Sequence, residues 1–179
     1  MICQLRKRKN AEKIKTEETR MLKIKQIWLV VFCVAVCLNA CDSTSIFEQN
    51  TNIPQLNWDI ESPVVFDVAI NDTVNSYNIY VNVRNSSKYE MMNLFMFIQT
   101  TSPTGATLRD TFECILADDR GKWLGSGWGD IYDNRFIYKK NIRFPVTGTY
   151  KIELTQAMRT EQLKGISDVG VRIEHSYLK

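Results

Sequence analysis

Two tryptophans on a glycine-rich stretch, three aspartates beside them and one arginine further on are the residues whose types and spacing could do chemistry. The stretch reads Gly121-Lys122-Trp123-Leu124-Gly125-Ser126-Gly127-Trp128-Gly129-Asp130. Trp123 and Trp128, with Tyr132 just beyond, supply flat rings that could stack on a sugar or on a partner side chain at low entropic cost. The same residues suit a loop folded over a core, its glycines admitting positive φ. The Gly-x-x-x-x-Gly-Lys-Ser/Thr order of a phosphate-binding loop is absent. Asp118, Asp119 and Asp130 flank the loop in a spacing that matches no calcium site, and acidic residues are common at turns, so no metal is expected. Gln156-Ala157-Met158-Arg159 is a second compact cluster, with Arg159 available for a salt bridge or a partner. These considerations select Trp123, Trp128, Asp130 and Arg159 as candidate contact residues.

Catalytic constellations are harder to assemble. The sequence holds one histidine, His175, close to its end. That excludes a multi-histidine zinc site, and a Ser-His-Asp triad or a Cys-His pair would have to be built on His175 alone, for which the sequence offers no plausible partner. His175 itself reads as a solvated residue at the end of a strand. A non-enzymatic protein without a cofactor is the expectation.

The elements that must position these residues read as strands. Val64, Phe66, Val68 and Ile70 fall on one face, and Tyr77, Ile79, Val81 and Val83 alternate with Asn78, Tyr80, Asn82 and Arg84, the period of half-buried antiparallel strands. Residues 93–98 are apolar almost throughout, which predicts a central strand covered on both faces. Residues 107–117 alternate again, placing Cys114 on an apolar face where burial rather than reactivity is expected. Further strands are predicted around Phe136, Tyr150 and Val171, with turns at 71–72, 102–105 and 118–121. One short helix is expected over 157–164, stopped by Gly165. Seven strands and one helix predict an all-β fold, an antiparallel β-sandwich with jelly-roll winding among its forms.

The chain ahead of these strands has a different character. Residues 27–38 form an unbroken apolar run preceded by Lys23 and Lys25. A membrane-spanning helix needs about 20 apolar residues, so the run is too short to span and has the proportions of a signal peptide. It ends in Leu38-Asn39-Ala40-Cys41, which resembles a bacterial lipobox, and Cys41 is therefore the expected site of acylation. Translation is expected to begin at Met21. Residues 1–40 would then be extension and leader, 41–57 the lipidated cysteine with a polar tether, and 58–179 a single β-sandwich domain.

Removing the leader changes the electrostatics. The full chain carries 23 basic and 20 acidic residues; the first 40 positions hold 9 and 3 of these, which leaves a net charge of −3. No basic footprint for nucleic acid remains. Of five cysteines, three fall in the leader and one is Cys41, so Cys114 has no partner for an internal disulfide.

With those residues in view, the chain resembles the gliding-motility lipoprotein family GldH of the Bacteroides lineage. The resemblance rests on Asn93-Leu94-Phe95, Leu116-Ala117-Asp118, Gly121-Lys122-Trp123-Leu124-Gly125, Gly129-Asp130, Arg143-Phe144-Pro145, Gly148-Thr149-Tyr150, Gln156-Ala157-Met158-Arg159 and Gly165-Ile166 with Asp168-Val169-Gly170. It implies a cell-envelope lipoprotein, expected at the outer membrane facing the periplasm. The implied partners are other envelope proteins of the gliding machinery that also runs type IX secretion. It implies no catalytic residue. A carbohydrate-binding envelope lipoprotein using Trp123, Trp128 and Tyr132 is the alternative.

Overall fold

The computed structural model describes residues 45–176, without the side chain of Trp128. The leader, Met21 and Cys41 lie outside the described residues. In chain order the strands are β1 (Ser45–Asn52), β2 (Asn57–Asp59), β3 (Val64–Ile70), β4 (Tyr77–Ser86), β5 (Asn93–Thr101) and β6 (Thr107–Ile115). They continue with β7 (Ser126–Trp128), β8 (Ile131–Ile142), β9 (Gly148–Gln156), β10 (Gln162–Lys164) and β11 (Ile166–His175).

Two antiparallel sheets face each other, one ordered β1-β11-β4-β8-β7 and the other β3-β9-β5-β6, with β2 and β10 forming a small ribbon. The winding is that of a jelly roll. Strands pair as a nested ribbon, β1 with β11, β3 with β9, β4 with β8 and β5 with β6, and successive pairs fall in alternate sheets. The expected sandwich is therefore present.

Alternation in the sequence becomes the inner layer. Phe66 and Val68 on β3, Leu94, Met96 and Ile98 on β5, and Ile152 and Leu154 on β9 are buried in one cluster with Val81, Val83, Val169, Val171 and Ile173 of the other sheet. Cys114 belongs to the same cluster. β3, β5 and β9 contribute every second residue because pleating sends alternate side chains to opposite faces.

Several expectations need correcting. No helix forms over 157–164. Gln156 is fully buried, and its side chain wires the following loop, donating from Nε2 to the Thr160 carbonyl at 2.7 Å and accepting the Met158 amide at 2.9 Å. Leu163 then pairs with Trp58 in the β10–β2 ribbon. A segment with so few apolar side chains has no helical face to bury, whereas one buried glutamine satisfies its backbone. Gly165 keeps the expected positive φ, +93°, but at a corner between strands. There its amide donates to the Leu56 carbonyl, its carbonyl accepts the Ser86 amide, and a Cβ would meet the Tyr89 Cα at 2.7 Å.

Residues 45–52, expected to belong to a polar tether, are paired in a sheet instead. Residues from Ser45 onward are strand β1, in register with β11 from Ser45 opposite Glu174 to Asn52 opposite Asp168. Backbone pairing at a sheet edge needs little apolar side chain. Of its apolar residues, Phe47 packs on the core, meeting the Phe66 ring edge-on at 6.5 Å. The close approach of β1 also explains Gly170, where a Cβ would lie 2.6 Å from the Gln49 carbonyl oxygen. Finally, β5 is central but is covered on one face only. Phe95 and Phe97 point outward, half-buried, with the Arg109 guanidinium 4.2 Å above the Phe97 ring.

Candidate functional site

The strand registers give the sandwich two distinct ends. At one end Ser45 lies opposite Glu174, His175 opposite Tyr77, and Tyr77 opposite Ile142. At the other end, Ser86 pairs with Ile131 and Asn93 with Ile115. Loops 87–92, 116–130 and 157–161 all belong to this second end, so Trp123, Asp130 and Arg159 lie there, about 30 Å of strand away from Ser45.

Within loop 116–130 the geometry is that of a built turn. Asp118 Oδ1 accepts the amides of Arg120 at 3.0 Å and Lys122 at 2.9 Å, and Gly121 takes φ +77°. Asp118 is therefore occupied in shaping the turn, as an aspartate at a loop start commonly is. Trp123 forms a β-bridge with Ala117. Its ring lies 6.4 Å from Tyr89 and 5.7 Å from Tyr132, tilted 34° to the latter. This half-buried ring packs against the core among other aromatics, which is not the flat exposed platform that a sugar requires. Trp128 pairs through its backbone with Ile131 in β7, and its side chain lies outside the described atoms. The Asp130 carbonyl accepts the Ser87 amide at 2.8 Å, and its carboxylate is exposed. Among the described residues, no group of three or more His, Cys, Asp or Glu is arranged to hold a metal.

Arg159 lies elsewhere at the same end. It borders an open groove of about 530 Å³ on the outer face of the second sheet, lined chiefly by Met91, Phe95, Phe97 and Met158. The groove is held from below, where the Ala157 amide donates to the Phe95 carbonyl at 2.9 Å and the Phe95 amide approaches the Met158 sulfur at 3.3 Å. Flexible methionines beside outward phenylalanines make an adaptable apolar surface, and Arg159 adds a charge at its rim. The aromatic cluster connects to it through Tyr89, whose hydroxyl donates to the Asn93 carbonyl at 2.8 Å.

Sequence reading missed a polar network on the outer face of the first sheet. Arg172, only 7% exposed at its side chain, ion-pairs with Glu48 across to β1 and with Glu174 at 3.1 Å on its own strand. Tyr80 donates to Glu174 at 2.7 Å, while Arg135 bonds Glu48 at 2.8 Å and Asn82 at 3.1 Å. The available signal was spacing, since Tyr80 and Asn82, Arg172 and Glu174, and Glu48 and Asn50 all recur at two. Of the remaining candidates, Cys114 is wholly buried and its thiol is pushed well above the ordinary range by burial and then by Glu113. His175 ends β11 with its ring 5.0 Å from Tyr77.

Compared with known proteins, residues 45–173 match a family model described as GldH lipoprotein. This chain belongs to the GldH lipoprotein family. The match spans nearly all of the described sandwich. Among curated GldH relatives, "Gliding motility lipoprotein GldH homolog" of Christiangramia forsetii is 32% identical over 157 residues, covering 84% of this chain and 95% of that protein. "Gliding motility lipoprotein GldH" of Flavobacterium johnsoniae is 34% identical over 152 residues, covering 81% and 94%. Among solved structures, the VP2 subviral particle of infectious bursal disease virus aligns at 17% identity with a TM-score of 0.31 over 75% of this chain. That weak likeness spans 34% of that chain. Two of the stretches that carry the GldH resemblance, Asn93-Leu94-Phe95 and Gln156-Ala157-Met158-Arg159, meet at the Arg159 groove.

Proposed function

We propose that this GldH family member is a non-catalytic, lipid-anchored accessory protein of the cell envelope that serves gliding motility, and the associated type IX secretion machinery, through protein-protein contacts. Acylated Cys41 holds it on the outer membrane, with the domain in the periplasm. Family membership supports the motility role. The contact mode is supported by one observation in particular: an open apolar groove with Arg159 at its rim lies at the end of the sandwich opposite Ser45. A partner segment carrying apolar side chains and a carboxylate has the chemistry to fill it.

Capture of the tagged, lipidated protein from detergent-solubilised envelopes tests the reading. Motility or secretion components are expected in the eluate of the native protein and strongly depleted with Arg159→Glu, while both proteins unfold at the same denaturant midpoint. Native protein that recovers none of those components overturns the reading.

A further inference from the structure

Only a short stretch of chain separates Cys41 from the first strand. Four residue steps separate Cys41 from Ser45, and an extended chain covers about 3.5 Å per residue, so Ser45 lies within about 14 Å of the acylated position. A tether of 17 residues would have let the domain turn freely. One this short does not, because the domain itself is roughly twice as long as the link.

The end of the sandwich that carries Ser45 has the chemistry of a membrane surface contact. Its loops are 71–76, 102–106 and 143–147, together with the end of β11. Val74 stands at the tip of the first loop, 76% exposed, the most exposed of the large apolar residues described. Its position is built rather than loose, since Asp72 Oδ1 accepts the Val74 amide at 2.7 Å and Tyr77 donates to the Asp72 carbonyl at 3.2 Å. Lys140 and Arg143 are exposed at the same end. The nearby carboxylates are engaged: Asp72 within its own turn, Asp110 with Lys139, and Glu174 with Arg172. An apolar cleft of about 430 Å³ bordered by Leu108, Phe144 and Pro145 opens beside them. An apolar tip next to basic side chains suits the interface of an anionic bilayer, where one meets the acyl boundary and the others the phosphates.

We propose that this end rests on the membrane, with Val74 at the depth of the lipid headgroups and Lys140 and Arg143 against anionic lipid phosphates. The Arg159 groove and the Trp123 loop then face away from the bilayer. The proposal rests on acylation of Cys41, and its test separates the two.

Processed, lipidated Val74→Cys and Leu124→Cys proteins beginning at acylated Cys41, each carrying an environment-sensitive thiol label, are reconstituted into phosphatidylethanolamine vesicles containing phosphatidylglycerol. Buried Cys114 takes no label, and Leu124, 57% exposed, reports on the opposite end. Lipids bearing a bromine quencher are expected to quench the label at 74 at least threefold more than the label at 124. Lys140→Glu with Arg143→Glu is expected to halve the quenching at 74. Equal quenching at the two positions in protein whose intact mass includes the acyl group overturns the orientation alone. An intact mass without the acyl group overturns the anchor and the orientation with it. Unchanged quenching in the doubly substituted protein overturns the role of the anionic phosphates.

Discussion

Tyr138 on β8 donates its hydroxyl to Asp110 on β6 at 2.6 Å, a polar tie between the two sheets where the sandwich has no closing strand. Lys139 adds an ion pair to the same carboxylate oxygen at 2.7 Å. The Phe112 ring lies edge-on to Tyr138 at 5.5 Å just inside. The seam is therefore closed by one phenol, one carboxylate and one ammonium over an aromatic pair.

This seam predicts an acid-sensitive component of stability. Lys139, then Tyr138, hold the Asp110 carboxyl below the usual carboxylate range. Because the folded value is the depressed one, the contribution is present above the unfolded value of about 3.9 and is lost as pH falls below it through the folded value. Asp110→Asn should cost about 1 kcal/mol near neutral pH, the upper end for a partly exposed ion pair. It should also flatten the acid limb of a plot of urea midpoint against pH. An acid limb identical to that of the native protein would contradict the assignment.

Tyr138 governs the alkaline side. Burial first, and then its bond to Asp110, raise its hydroxyl well above the ordinary value. A raised folded value means that the stabilisation is complete below the unfolded value of about 10 and is lost as pH rises beyond it. Tyr138→Phe should remove that alkaline loss, read by thermal melts between pH 9 and pH 11.

The Glu48 contacts predict that the first strand is fastened by charge. Glu48 bonds both Arg172 and Arg135. Glu48→Ala leaves the nearly buried Arg172 with less compensation and should cost about 2–3 kcal/mol, as for hydrogen bonds to charged groups. Amide exchange of β1 should accelerate more than that of β5. Uniform acceleration across both sheets would argue against a local fastening.

Cys114 should be chemically silent while the protein is folded. Its thiol is fully buried and shifted away from the reactive thiolate form. A thiol reagent at pH 8 should label acylated protein only after denaturant is added, and Cys114→Ser should cost about 1–3 kcal/mol for an unsatisfied buried hydroxyl. Labelling of the native protein within minutes would disprove the burial.

Trp123 and Arg159 should separate folding from contact. Trp123→Ala removes a half-buried ring from between Tyr89 and Tyr132 and should cost about 2 kcal/mol, roughly half the penalty for a fully buried aromatic. Exposed Arg159 carries no such load, so Arg159→Glu should leave the urea midpoint within about 0.5 kcal/mol of native. The reverse ranking would place Arg159 in the structural framework instead.

How much of this was legible in the chain differs from residue to residue. Val81 and Val83 announce their strand because both alternate with polar neighbours, and Cys114 announces its burial in the same way. Ser45–Asn52 does not, because an edge strand held by backbone bonds and by Glu48 carries little apolar periodicity. The loop after Gln156 misled for a related reason. Its good helix formers and terminal glycine are local signals, and a buried side-chain amide overrides them. Arg159 could be singled out from its cluster, but Phe95 and Phe97, which build the groove beside it, read as interior residues.

By itself the sequence determined the strand character, the inward faces of the alternating strands, the single histidine and the family resemblance. These depend on local residue order, with side chains alternating along each strand. Only the tertiary structure decided that the first strand pairs with the last, that Arg172 sits between Glu48 and Glu174, and that Ser45 and Arg159 occupy opposite ends. A period of two says which face turns inward but not which strand lies alongside. That choice is made by pairings between distant parts of the chain, where register and packing are settled together.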